Sequence, residues 1–118
     1  MGTIRRTAPY GGTLHEVVEH GETLYLAGIV AEELSPDMTA QAEDVMRQLE
    51  TLLADNGSDL SRLLQVTIYF TDLAAKPAFD AVWKRRIGAA HMPARAGIGV
   101  ADLGAGVLLE MVATAAKG

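Results

Sequence analysis

Apolar and polar positions change rhythm several times along the chain, and each change marks an element. "TLHEVVEHG" (13–21) and "ETLYLAGIVA" (22–31) are two short blocks rich in β-formers, with a hairpin-like "HGE" where they join. "ELSPDM" (33–38) reads as a loop. From about Thr39 to Asp55, Ala42, Val45, Met46, Leu49, Leu52 and Leu53 recur at steps of three and four, which predicts one face of an amphipathic helix. Gly57 stands where a helix C-terminus needs a left-handed residue. "LLQVTIYFT" (63–71) sets Leu64, Val66, Ile68 and Phe70 against Gln65, Thr67 and Tyr69, the alternation of a strand. Pro77 suits the first turn of a second helix, whose apolar face is Phe79, Val82, Trp83 and Ile87 and whose stop is Gly88. "ARAGIGVA" (94–101) and "VLLEMVATA" (107–115) predict two more strands around a short loop.

The predicted order is β-β-α-β-α-β-β in a single domain over residues 1–118, an α+β fold with two helices on one face of a mixed sheet. Two helices cover one side only. Yet the 24–30 segment is apolar on both sides (Leu24, Leu26 and Val30; Tyr25, Ala27 and Ile29), and so is the last strand. Soluble monomers avoid leaving such a face in water, so a second copy of the chain is expected to cover it.

Composition narrows the function. The chain is 49% hydrophobic and 21% charged, an ordinary globular balance. It has no cysteine, which excludes a disulfide scaffold, a thiolate metal site and a cysteine nucleophile. His15, His20 and His91 lack metal-ligand spacing, so no metal is expected. The start "MGTIRRTAPYGG" carries no apolar segment after its arginines, and no run approaches the ~20 residues of a membrane helix. Net charge is −5 with no basic stripe, against a nucleic-acid partner. The expectation is a cytoplasmic protein of small-molecule chemistry, with neither nucleic acid nor membrane as partner.

Two residues stand out chemically. Arg95 lies among Ala94, Ala96, Gly97 and Gly99, and Glu110 interrupts the apolar "VLLEMV". A carboxylate on a buried strand needs a partner or a job. If the last two strands form a hairpin, a residue sum of 205 sets Arg95 directly opposite Glu110, and a sum of 207 sets them one diagonal apart on one face. A structural ion pair and a shared small carboxylate ligand both fit this pattern. The small neighbours leave room beside the guanidinium, whose donor fork matches a carboxylate.

The chain resembles the RidA/YjgF family of reactive-intermediate deaminases over nearly its whole length, and its YoaB-like branch in particular. The resemblance is carried by Gly21 with "TLYLAGIVA", Gln41, "LLADNGSDLSRLLQVTIYFTDL", the Pro-Ala-Arg at 93–95, and Glu110 fifteen residues beyond the arginine. It implies a chorismate-mutase-like α+β fold, a homotrimer with inter-subunit clefts, and hydrolysis of enamines and 2-imino acids to 2-keto acids and ammonia with no cofactor. It makes Arg95 the holder of the substrate carboxylate, Glu110 the residue beside the attacking water, and Gly28 part of the cleft wall. Ala27 and Ile29 stand where the family has serine and glutamine, Asp80 where it has asparagine, Leu14 with neighbouring His15 where it has tyrosine, and Ala96 where it often has serine or cysteine. The substrate-binding set it implies is therefore Gly28, Ile29, Asp80, His15 and Ala96. The lost polar groups also fit a second reading, a trimer that senses or sequesters a small carboxylate without turning it over.

Overall fold

The computed structural model describes residues 3–118. Six strands form one mixed sheet in the order β1-β2-β3-β6-β4-β5. The strands are β1 (Ile4–Tyr10), β2 (Leu14–His20), β3 (Thr23–Leu26), β4 (Leu63–Phe70), β5 (Ala94–Gly99) and β6 (Leu109–Ala116). Helices α1 (Met38–Asp55) and α2 (Lys76–Ile87) pack on one face. Neither is long and apolar enough to cross a membrane.

The helical rhythm of the sequence appears as packing. Ala42, Val45, Met46, Leu49 and Leu53 of α1 are buried against Leu24, Val66, Ile68 and Met111 of the sheet. Phe79, Val82, Trp83 and Ile87 do the same for α2. Asp37 caps α1 by accepting the Ala40 N–H, and Gly57 beyond its end has φ +80°. Gln41 is fully buried and carries no catalytic geometry. Its amide donates to the carbonyls of Ser35 and Gly106, 2.7 Å each, and accepts the Leu108 N–H at 3.0 Å. It ties the loop before α1 to the loop before β6.

The structure corrects three expectations. A strand not foreseen, β1, pairs with β2 at the sheet edge and precedes the predicted order. The 22–31 segment is not one strand: β3 ends at Leu26, and only Ile29 pairs again, with Met111. The residue sum for β3 against β6 goes from 139 at Tyr25–Thr114 to 140 at Ile29–Met111, so one extra residue sits in a bulge at Ala27–Gly28.

The third correction concerns the hairpin. β5 does not pair with β6. It lies parallel to β4 at the opposite edge, with Arg95 level with Val66, while β6 runs antiparallel between β3 and β4. The 100–108 loop carries the chain past the end of β4, a path open because β5 and β6 run in opposite directions. Neither the 205 nor the 207 register exists.

The other sheet face is uncovered, as the face count requires. Tyr25, Ile98 and Val112 on it are 49%, 42% and 37% exposed, a row of large apolar side chains that a monomer would leave in water.

Candidate functional site

Arg95 and Glu110 head two separate groups on opposite faces of the sheet. The first is on the helix-covered face at the β5 edge. Arg95 shares the face of its neighbour Val66, which is buried under the helices. Its guanidinium carbon lies 5.2 Å from the Trp83 ring centroid and 5.9 Å from that of Phe79. Phe79 and Trp83 are one turn apart on α2, and Phe79 packs edge-on against Phe70 of β4, so the cation rests on a fixed aromatic floor. Trp83, expected on the apolar face of its helix, is thus both a core anchor and a stacking platform.

Asp80, between these rings on the same helix, reaches Arg95 Nη1 with Oδ1 at 2.8 Å and Lys76 Nζ with Oδ2 at 3.1 Å. Burial pushes the Asp80 carboxyl up, but the contacts with Arg95 and Lys76 outweigh it and hold it below the usual range. The 2.8 Å contact of the buried Oδ1 engages one guanidinium nitrogen, Nη1. Among the described residues Nε and Nη2 of Arg95, whose side chain is 21% exposed, have no ion-pair partner. The fork is held in place by rings and by Asp80 at Nη1, which leaves Nε and Nη2 for a ligand.

The room expected beside Arg95 is partly filled. Lys76 packs over Gly97 and Leu73 over Gly99. Ala96, level with Thr67, points to the open face and away from Arg95.

The second group is on the open face. Glu110 alternates with buried Leu109 and Met111 and stands directly across from Tyr69 of β4. The bulge brings Gly28 against it: a Cβ at Gly28 would overlap the Glu110 carboxylate. Ile29 is buried and exchanges both backbone hydrogen bonds with Met111, at 2.8 and 3.0 Å. Gly28 is therefore the neighbour of Glu110, whereas Ile29, expected beside it in the substrate-binding set, shares the helix-covered face of its partner Met111 and is part of the core. Tyr69 was missed; it stands directly across the strand pair from Glu110, and only the register reveals it.

Gly28 and Ile29 also line a hollow of about 470 Å³, closed by Tyr10, Leu14, Glu16 and residues 27–32 on one side and Gln48 and Leu52 of α1 on the other. Asp44 and Gln48, one turn apart, fix its rim. Asp44 accepts the N–H groups of Glu32 and Glu33 at 3.1 Å each, and Gln48 donates to the Val30 carbonyl at 2.8 Å and to Asp44 at 2.7 Å. Burial raises the Asp44 carboxyl, but these hydrogen bonds prevail and lower it.

His15 joins neither group. It pairs with Pro9, shares the covered face of Val17, and is separated from β5 by three strands. No group of three or more His, Cys, Asp or Glu among the described residues is arranged to hold a metal.

The chain matches one family model, described as Endoribonuclease L-PSP, over residues 4–117. The RutC family protein YoaB of Escherichia coli is 34% identical over 80 residues, covering 68% of this chain and 69% of that protein. Protein DfrA of Myxococcus xanthus is 35% identical over 104 residues, covering 83% and 79%. A crystal structure of NMB1025 from Neisseria meningitidis, a member of the YjgF family, superposes with a TM-score of 0.92 at 28% identity and covers 98% of this chain and 96% of its own.

Proposed function

The chain belongs to the RidA/YjgF family, whose model is described as Endoribonuclease L-PSP, and from that premise we propose that it hydrolyses small 2-imino acids to 2-keto acids and ammonia. The observation that carries this reading is the state of Arg95: a guanidinium fixed by two rings and by an ion pair at Nη1, with Nε and Nη2 left without an ion-pair partner. Arg95 takes the substrate carboxylate through a charge-assisted fork, which fixes the C=N carbon in space. Glu110 accepts a proton from water as it adds to that carbon, and returns a proton to nitrogen as ammonia leaves and C=O forms. No cofactor enters the balance: one water is consumed and one ammonia released.

A single protomer cannot do this. Arg95 and Glu110 sit on opposite faces, with β4 between their strands and a three-residue offset along it, roughly 10 Å each way. The reading therefore requires the β5 edge of one protomer to lie against the open face of another, in a closed homo-oligomer such as the trimer the resemblance implies. The exposed row of Tyr25, Ile98 and Val112 supplies the apolar area for that contact. Net charge −5 and the absence of cysteine agree with small-molecule chemistry in a reducing, cytoplasmic setting rather than RNA cleavage.

The test is hydrolysis of 2-aminoacrylate and 2-iminopropanoate, comparing wild type with Arg95→Ala and Glu110→Gln. Loss in both variants is expected; equal rates in all three remove these residues from the chemistry. A non-catalytic carboxylate-binding role is favoured by the apolar Ala27 and Ile29 at the cleft wall, and it predicts keto-acid binding with no turnover by the wild type.

A further inference from the structure

We infer that Lys76 sets the affinity of Arg95 for a carboxylate ligand by neutralising Asp80, a role that rests on the reading of Arg95 as a carboxylate holder. A carboxylate beside Arg95 is an obstacle to any incoming anion, because Asp80 and the ligand compete for one positive charge. Lys76 Nζ at 3.1 Å from Asp80 Oδ2, with Arg95 at 2.8 Å from Oδ1, leaves the three side chains with a net single positive charge. That is the charge a lone arginine beside a neutral residue would present.

Helix physics does not account for the lysine. It occupies the first turn of α2, where the macrodipole disfavours a cation, and no acidic residue stands in that turn. As an i,i+4 pair with the cation N-terminal, Lys76–Asp80 also has the weaker orientation. What fixes Lys76 is the strand below. A side chain at Gly97 would press on Lys76 Cε at 3.2 Å, so the lysine stem lies across β5 on the face of Arg95, two residues along. Lys76 is a positioning and charge-balancing residue; Arg95 remains the one that touches ligand.

The experiment is pyruvate binding by calorimetry to wild type, Lys76→Met, Lys76→Arg, Asp80→Asn, the Lys76→Met/Asp80→Asn double variant and Arg95→Gln. Lys76→Met is expected to weaken binding roughly two- to fivefold, the scale of a partly exposed ion pair. Lys76→Arg should restore it. Asp80→Asn should tighten binding, and the Lys76→Met/Asp80→Asn double variant should return close to wild type, since both then present a net single positive charge. A helix-surface pair of purely structural value would shift Tm and leave affinity unchanged, and that result overturns the inference. So does a double variant that binds as weakly as Lys76→Met alone. Binding abolished by Arg95→Gln but indifferent to Lys76 refutes the inference alone; a wild type that binds no pyruvate, or binds it independently of Arg95, refutes the parent reading with it.

Discussion

Arg95 and Glu110 project from opposite faces of one sheet, on strands that β4 separates. A site that uses both must draw them from two protomers. Neither Arg95→Ala nor Glu110→Gln alone should turn over an imino acid, but their mixed assembly should. With random co-assembly of equal amounts, about one cleft in four pairs an intact arginine with an intact glutamate, so activity should recover to about a quarter of wild type. The check is 2-iminopropanoate hydrolysis by co-expressed, differently tagged variants. Zero recovery in verified mixed oligomers would place both residues in the same chain's site.

The sequence made some links legible and hid others for physical reasons. α1 and β4 show because one face of each is buried and the other wet, so period and burial agree. β1 is almost wholly exposed, with Pro9 and two arginines in it, and has no apolar alternation to read. The hairpin failed because alternation tells which residues share a face within a strand and says nothing of which strand lies beside it. Adjacency in sequence made β5–β6 the natural pair; the crossover through α2 put β5 beside β4 instead. Arg95 and Glu110 were both visible as odd charges, and Asp80 and Gly28 only as part of the resemblance. Lys76 looks like any surface lysine until it is seen crossing Gly97.

Gly28 is expected to control where the Glu110 carboxylate sits. A methyl at that position would overlap the carboxylate, and Glu110 is only half-buried, so its side chain can swing toward solvent. Gly28→Ala should thus cost about 1 kcal/mol or less of stability, because the strain is relieved by motion of one side chain. Turnover should fall by about a hundredfold, the lower range for losing a positioned acid–base group. Urea unfolding beside steady-state kinetics separates the two effects. Unchanged kcat in a folded Gly28→Ala protein would free Glu110 from its assigned place.

Asp44 gives a pH signature. Its carboxylate accepts two loop N–H groups and the Gln48 amide, and its pKa is depressed in the folded state. A depressed carboxyl stabilises the fold above its unfolded pKa, about 3.9, and that contribution is lost as pH falls through the folded value. Asp44→Asn keeps the shape but turns one acceptor into a donor facing N–H groups, so it should destabilise by about 1–3 kcal/mol at pH 7. The gap to wild type should narrow below pH 4, as the unfolded chain takes up a proton that the native carboxyl still resists. Urea midpoints at pH 7 and pH 3.5 measure this; a gap of equal size at both would mean the charge on Asp44 does not matter.

Val112 tests what covers the open face. It lies across from Thr67 near the middle of that face and is 37% exposed, so within one protomer its side chain touches little that a polar group would disturb. Val112→Asp should therefore cost a monomer only about 1 kcal/mol, chiefly through the poor strand propensity of aspartate. In an assembly that buries the face, the same change strands a carboxylate in an apolar contact, which is far more costly. Light scattering should show wild type as a closed oligomer and Val112→Asp as monomer, with far-UV circular dichroism unchanged. Imino-acid hydrolysis should disappear with the oligomer even though Arg95 and Glu110 are intact in every chain. A monomeric variant that retained full turnover would show that one protomer suffices, and an oligomer untouched by the charge would move the contact to some other surface.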